Sequence, residues 1–232
     1  MISVVIPAHN ECENLRRLLP YLLGLQAGGP VELLPVLSAA TDDGSAGVVR
    51  QCGLEPLQCT ETCRASQMNT GARRARGSTL VFLHADVWPP EQFFEDIRHT
   101  LSGPFQAGFF SYRFDLDTLL LRINSRFTRR DGFFTGGGDQ CLFIEREAFD
   151  QLGGFDPGQV LMEDFEFFGR MKRARLPYRI VPNDLVVSAR KYRVNSYLRV
   201  NLGNLMLLIL FRCGCRPAAL RKLHNSLLRS VE

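Results

Sequence analysis

Apolar positions along the chain switch between short β-branched runs and leucine stripes at helical spacing. Residues 2–6 (ISVVI) form a β-branched run stopped by Pro7, which predicts a buried strand. Over residues 11–25, leucines at 15, 18, 19, 22 and 25 mark one face of a helix, with Asn10 placed as its N-cap. Gly28, Gly29 and Pro30 break the chain before a second apolar run, residues 31–37. A polar turn over 38–45 leads to a short helix through Arg50, and a weak third strand is expected over 54–57. Residues 66–76 read as a helix closed by Gly77, 80–83 as a buried strand, and 91–101 as a further helix.

Strands alternating with helices at this spacing predict an α/β fold, a mostly parallel central sheet flanked by helices. The ligand crevice of such a sheet lies at the carboxyl ends of its strands. Residues 8–11, 38–43 and 84–86 should therefore open onto one cleft. After residue 104 the texture changes. Residues 105–114 predict an antiparallel strand, 136–138 a flexible loop, and 141–144 another strand. Residues 196–211 and 217–228 read as helices, so the chain divides into a domain over 1–195 and a helical tail over 196–232.

Composition narrows the partner. Hydrophobic residues make up 45% and charged residues 22%, an ordinary globular composition that argues against disorder. Net charge is only +4, but arginines gather at 73, 74 and 76, at 126, 129 and 130, and between 170 and 179. Such clusters suit a phosphate-bearing ligand; no nucleic-acid-binding module is recognisable, so nucleic acid is not expected. The seven cysteines show no Cys-x-x-Cys spacing, which predicts reduced thiols in a cytoplasmic protein. The opening MISVVIPAHNE has neither a basic stretch nor a long apolar region, so no signal peptide is expected. The most apolar stretch, 205–211, is far shorter than the roughly 20 residues a membrane span needs. Leu202, Leu205, Leu208 and Ile209 fall on one side of the helix containing it. Packing on the core is the expectation there, with a peripheral membrane contact as the other placement.

Four segments carry chemistry. SVVIPAHNE sets Asn10 and Glu11 at the end of the first strand, where a carboxylate can accept hydrogen bonds from a base or ribose; a first-turn acid also simply suits the helix dipole. CRASQMNTGARRARGSTLVFLHADVWPP joins an Arg- and Asn-bearing helix to a strand ending in His84 and Asp86. GGGDQCLFIEREAFDQLGGFDPGQVLMEDFEFFGRMKR leads from a Gly-rich loop to Glu163 and Asp164 at a helix start, where one carboxylate can raise the pKa of the other. SARKYRVNSYLR presents Arg190 and Arg193, either a phosphate contact or a solvated basic face.

Together these segments resemble family 2 glycosyltransferases of the GT-A fold, over residues 2–215. They are most similar to a bacterial subgroup with GRARQMN and LHADT signatures, named for arsenosugar biosynthesis. The resemblance implies a donor half (1–104) and an acceptor half (105–195). It also implies transfer of a sugar from a UDP- or GDP-linked donor to an acceptor hydroxyl, with inversion. Pro7, Asn10, Glu11, Asp42, Arg64, Gln67 and Asn69 would then line the donor site, Arg64 facing phosphate. Asp86, with His84, would hold a manganese or magnesium ion, Gly137, Asp139, Gln140, Arg190 and Arg193 would meet acceptor or phosphate, and Asp164, beside Glu163, would be the base.

The sequence also departs from the family pattern. Relatives usually carry Val-Asp-Gly-Gly-Ser-x-Asp after the second strand, whereas residues 36–42 here read VLSAATD. Leu37 stands at the first Asp, His84 at the first position of the metal motif, and Cys63 in place of Gly. Two other readings follow. One is a nucleotide-binding protein that has lost catalysis, with Leu37 and His84 as its cause. The other is a nucleotidyltransferase, which would want a glycine-rich loop after the first strand where PAHNE has none.

Overall fold

The computed structural model describes residues 1–25, 28–132 and 134–228. The first elements are β1 (Ile2–Ala8), α1 (Cys12–Gly24), β2 (Val31–Leu37), α2 (Ser45–Gln51), β3 (Leu57–Gln58), α3 (Arg64–Arg74), β4 (Thr79–Phe82), β5 (Val87–Trp88) and α4 (Phe93–Leu101). They continue with β6 (Ala107–Phe114), α5 (Leu119–Phe127), a single 3-10 turn Gly138–Gln140, β7 (Leu142–Glu145), α6 (Arg146–Gln151), α7 (Glu163–Arg173) and β8 (Tyr178–Val187). Three helices close the described chain: α8 (Arg190–Val194), α9 (Tyr197–Arg212) and α10 (Pro217–Leu227). Residues 229–232 of the expected tail lie outside the described residues.

All eight strands share one sheet in the order β3-β2-β1-β4-β7-β6-β8-β5. The first four pair in parallel. β7 then runs antiparallel to both β4 and β6, while β6 and β8 are parallel. The sheet is therefore mixed but mostly parallel, and the expected antiparallel strand at 105–114 is antiparallel on one edge only. β1 is buried along its whole length because helices cover both faces. Its side chains alternate between two cores. Val4 and Ile6 pack with Leu15, Leu18 and Leu22 of α1, and Val5 packs with Met68 of α3. Gly71 is the close-approach residue of α3, since a Cβ there would collide with Val5.

Three local expectations are corrected. Asn10 does not cap α1: it takes a left-handed backbone (φ 53°), and its Oδ1 accepts from the Asp42 amide at 3.1 Å. The helix start is met from outside, Asp43 Oδ2 accepting from Cys12 N at 2.8 Å. Gly77 does not close α3 with a left-handed turn. It is small because its amide donates to Ser3 Oγ and a Cβ would press on Ser3 and the Met1 carbonyl. The carbonyls at that end are taken by the Arg146 guanidinium, which donates to Ala72 O (3.1 Å), Ala75 O (2.7 Å) and Gly77 O (2.9 Å). The leucine stripe of α9 is also not one face: Leu208 is buried, whereas Leu202 and Ile209 are exposed. Among the described residues, no helix is long and apolar enough to cross a membrane.

Candidate active site

The carboxyl ends of β1, β2 and β4 meet on one edge of the sheet, because the register aligns Ala8 with Leu37 and Val5 with Phe82. The three predicted segments open there. Asn10 links the first two through the Asp42 amide, and Arg190 links the first and third, its Nη2 lying 3.4 Å from Glu11 Oε1 and 3.1 Å from Asp86 Oδ2. Glu11 and Asp86 are thus neighbours 75 residues apart in sequence, one guanidinium between them.

Deeper in the cleft lies a second charged group. α7 begins with Glu163 and Asp164 after Met162, which holds a left-handed backbone (φ 66°). A bulky residue rarely takes that conformation, and strain of this kind gathers at functional sites. Glu163 is buried and accepts from Arg64 Nη1 at 3.3 Å; the arginine side chain is itself about half exposed (54%). Asp164 faces the loop at Gly138, where a Cβ would collide with the His84 ring and the Asp164 carboxylate. His84, Gly138 and Asp164 are therefore packed in direct contact, and only glycine fits between the two side chains.

Electrostatics separates these groups. Burial, then the adjacent Glu163 charge, pushes the Asp164 carboxyl well above the usual carboxylate range, against the pull of Arg64. Burial, then the Arg64 cation, pushes His84 below its ordinary value, favouring a neutral imidazole. Against the cost of desolvation, Glu163, Asp164, Asp86 and Asp139 keep the Arg64 guanidinium charged. Four acidic side chains set against Arg64 and Arg190 leave acid in excess, a setting suited to a cation or a shared proton.

The remaining predicted residues divide. Gln67 does not face the cleft: it is buried, and its Nε2 donates to Ala8 O (2.9 Å) and Val36 O (2.8 Å), tying the ends of β1 and β2. Asn69 clasps the segment before α7, donating to Phe155 O at 2.7 Å and accepting from Phe155 N at 3.0 Å. Gln140 holds its own loop, accepting from Gly136 N (2.9 Å) and donating to Thr128 O (3.3 Å). Gly137 and Asp139 lie on that loop, half-buried. Pro7 is buried within β1 beside Val36. Asp42 is exposed on the rim. Arg193 points elsewhere, 3.8 Å from Asp115 and largely exposed.

Sequence reasoning missed a polar group beside Leu37. That leucine is buried in the core. Next to it, His9 Nδ1 lies 2.7 Å from Ser38 Oγ, which lies 3.2 Å from Thr41 Oγ1. The available signal was the run of small polar residues after β2, unreadable without knowing which face each takes. Among the described residues no three His, Cys, Asp or Glu side chains gather as metal ligands. Asp86, with a partly exposed carboxylate, fits an open site completed by a ligand's own oxygens. All seven cysteines are free thiols.

Residues 3–153 match the sequence model of Glycosyl transferase family 2. Over 108 residues the chain is 29% identical to the glycosyltransferase AglE of Haloferax volcanii, a match covering 44% of this chain and 36% of that protein. The match thus spans about a third of the length of that curated relative. Among solved structures, the mannosyltransferase PcManGT of Pyrobaculum calidifontis, in complex with GDP-Man and Mn2+, superposes with a TM-score of 0.68 at 18% identity, covering 97% of this chain and 68% of that one. S. aureus TarS 1-349 in complex with UDP gives 0.63 at 14% identity, covering 97% and 70%. The glucosyl-3-phosphoglycerate synthase of Mycobacterium tuberculosis, with Mg2+ and UDP, gives 0.62 at 18% identity, covering 92% and 79%. At these identities the likeness is one of fold.

Proposed function

The chain belongs to glycosyl transferase family 2, and from that premise we propose that it transfers a sugar from a nucleoside diphosphate donor to an acceptor hydroxyl, with inversion. The observation that carries this reading is the Asp164 carboxyl, pushed up by burial and by Glu163 and packed against Gly138 and His84 on the wall of the cleft. A carboxyl with a raised pKa is a better general base than an ordinary one. Asp164 takes the proton of the acceptor hydroxyl as that oxygen bonds the anomeric carbon and the sugar–phosphate bond opens on the opposite side. Glu163 raises its neighbour's basicity and meanwhile holds Arg64 at 3.3 Å. Arg64 then meets the diphosphate, whose oxygens replace Glu163 as its partner.

Asp86 at the end of β4, with His84 beside it, is the candidate anchor for a divalent cation, manganese or magnesium. Such an ion would neutralise charge on the departing diphosphate. Arg190 answers the Glu11 and Asp86 charges. Asn10, Glu11 and Asp42 form the rim on which base and ribose rest, with His9, Ser38 and Thr41 supplying the polar atoms that Leu37 lacks. The CRASQMN and LHADV segments support membership of the subgroup named for arsenosugar biosynthesis.

Titration calorimetry with UDP and GDP, each with and without Mn2+, tests the donor reading. Binding of one nucleotide should require the cation and be lost in Asp86→Asn. Tight binding of a nucleotide without turnover of any sugar-linked form would leave a binding protein on a transferase fold. No binding of either would sink the proposal.

A further inference from the structure

Two helices outside the cleft share an unusual surface. α5 exposes Leu119, Leu120, Ile123 and Phe127, the last 75% exposed. These positions fall along one arc of the helix, opposite buried Leu121. α9 exposes Leu198, Leu202, Met206 and Ile209, at i, i+4, i+8 and i+11, opposite buried Val200, Gly203 and Leu207. The helices touch through Asn124, whose Nδ2 donates to Asn201 Oδ1 at 3.0 Å and whose Oδ1 accepts from Tyr197 OH at 2.6 Å. Asn124 borders the apolar arc of α5 and Asn201 that of α9, so the arcs lie on adjoining helices. Eight large apolar side chains exceed what a monomeric soluble surface ordinarily leaves in one place.

The charge around this patch is in basic excess. Residues 118–130 and 185–228 contain twelve of the 28 Arg and Lys of the chain; Arg122, Arg129 and Arg193 pair with Asp117, Asp184 and Asp115, and Arg190 with Glu11 and Asp86, which leaves the others in excess. The rest of the chain is therefore acidic, and the basic excess lies on α5, on α8 to α10 and on the segments that flank them. Arg122 and Arg126 flank the α5 arc and are exposed. Arg126 and Arg130 form no ion pair among the described residues.

We infer that the α5–α9 face docks on the surface of an anionic lipid bilayer. Apolar side chains between arginines are the chemistry of an interfacial helix: the former enter the acyl boundary and the latter meet lipid phosphates. Neither helix can span, so the contact is parallel to the surface. A second copy is disfavoured by the same charge, because a self-facing patch would set arginines against arginines. The contact also has a geometric consequence. The chain leaves α5 through Thr128, whose carbonyl accepts from Gln140 of the acceptor-side loop, so docking sets that loop close to the membrane. This consequence rests on the proposed transferase reading; the docking itself does not.

Sedimentation of the full chain with vesicles tests the inference directly. It should bind vesicles of phosphatidylglycerol and phosphatidylcholine in equal parts, bind pure phosphatidylcholine far less, and release as salt rises. Arg122→Glu with Arg126→Glu should lower affinity steeply, each basic side chain near the surface being worth about fivefold. Leu202→Ser with Phe127→Ser should abolish binding, while Arg73→Glu with Arg74→Glu, on α3, should not change it. All four substituted positions on the face are exposed, and an unchanged circular dichroism spectrum verifies folding. Failure of the wild type to bind anionic vesicles at low salt would overturn the inference. So would binding indifferent to the α5 and α9 substitutions, or a dimer in solution that Leu202→Ser dissociates. Loss of nucleotide binding with vesicle binding intact would overturn the transferase reading alone.

Discussion

The first turn of α3 and the turn that follows it hold similar polar residues under opposite conditions. Gln67 and Asn69 have all their visible partners in the backbone, at 2.7–3.0 Å, and each joins segments distant in sequence. Arg64, one turn earlier, faces Glu163 at 3.3 Å with Asp164, Asp86 and Asp139 adding charge nearby. A polar side chain whose valences are filled by main chain is architecture. A cluster with more carboxylates than cations stores unfavourable energy, and a ligand can release it. The two regions should therefore respond oppositely to mutation, one losing stability and the other losing function.

The largest effect should come from the charged region. Asp164→Asn should cut sugar transfer by about 10²–10⁴-fold, the usual contribution of a general base, and leave nucleotide affinity unchanged. Wild-type rate in this variant, measured on a true acceptor, would remove Asp164 from the mechanism. The same substitution should raise thermal stability. The folded pKa of Asp164 lies above the ordinary carboxylate value, so folding binds a proton and stability is lost as pH rises through the folded pKa. The melting temperatures of the two proteins should coincide below the ordinary value of about 3.9 and separate in favour of Asn as pH increases. A gap that does not depend on pH would refute the electrostatic cause.

In the architectural region the direction reverses. Gln67→Ala removes the side-chain donor from the Ala8 and Val36 carbonyls, at about 0.5–1.5 kcal/mol for each hydrogen bond, since the Ala8 carbonyl still accepts from Ser38 N. At about 2–4 °C per kcal/mol for a chain of this size, Tm should fall by roughly 2–12 °C. Activity per folded molecule should persist at low temperature. A Gln67→Ala protein as stable as wild type but inactive would move this residue into the donor site.

The smallest effect contrasts two arginines three residues apart. Arg193→Ala removes a largely exposed side chain 3.8 Å from Asp115, so stability should change by less than about 0.5 kcal/mol and activity not at all. Arg190→Ala removes the shared partner of Glu11 and Asp86, and should change the Mn2+ concentration needed for donor binding. Equal responses from the pair would remove the distinction drawn between them.

Much of the chain could be read in order. The β-branched run of β1, the leucines of α1 and the strand at β4 are local patterns, set by side-chain periodicity and burial. They fix an α/β sheet and hence the edge on which Asn10, Glu11 and Asp86 meet. Glu163 and Asp164 were visible as paired acids at a helix start. Other features depend on contacts that no local pattern encodes. The sequence names Gln67, Asn69 and Arg64 as equal candidates along one helix, and only packing turns the first two toward main chain. The end of α3 depends on Arg146, 72 residues beyond Arg74, rather than on Gly77. Leu37 reads as the loss of an acid until the fold buries it and sets His9 beside Ser38. Periodicity acts over a few residues, so it determines elements and their inner faces. The partner of a hydrogen-bonding or charged group depends on which distant segment arrives beside it, and the tertiary structure alone decides that.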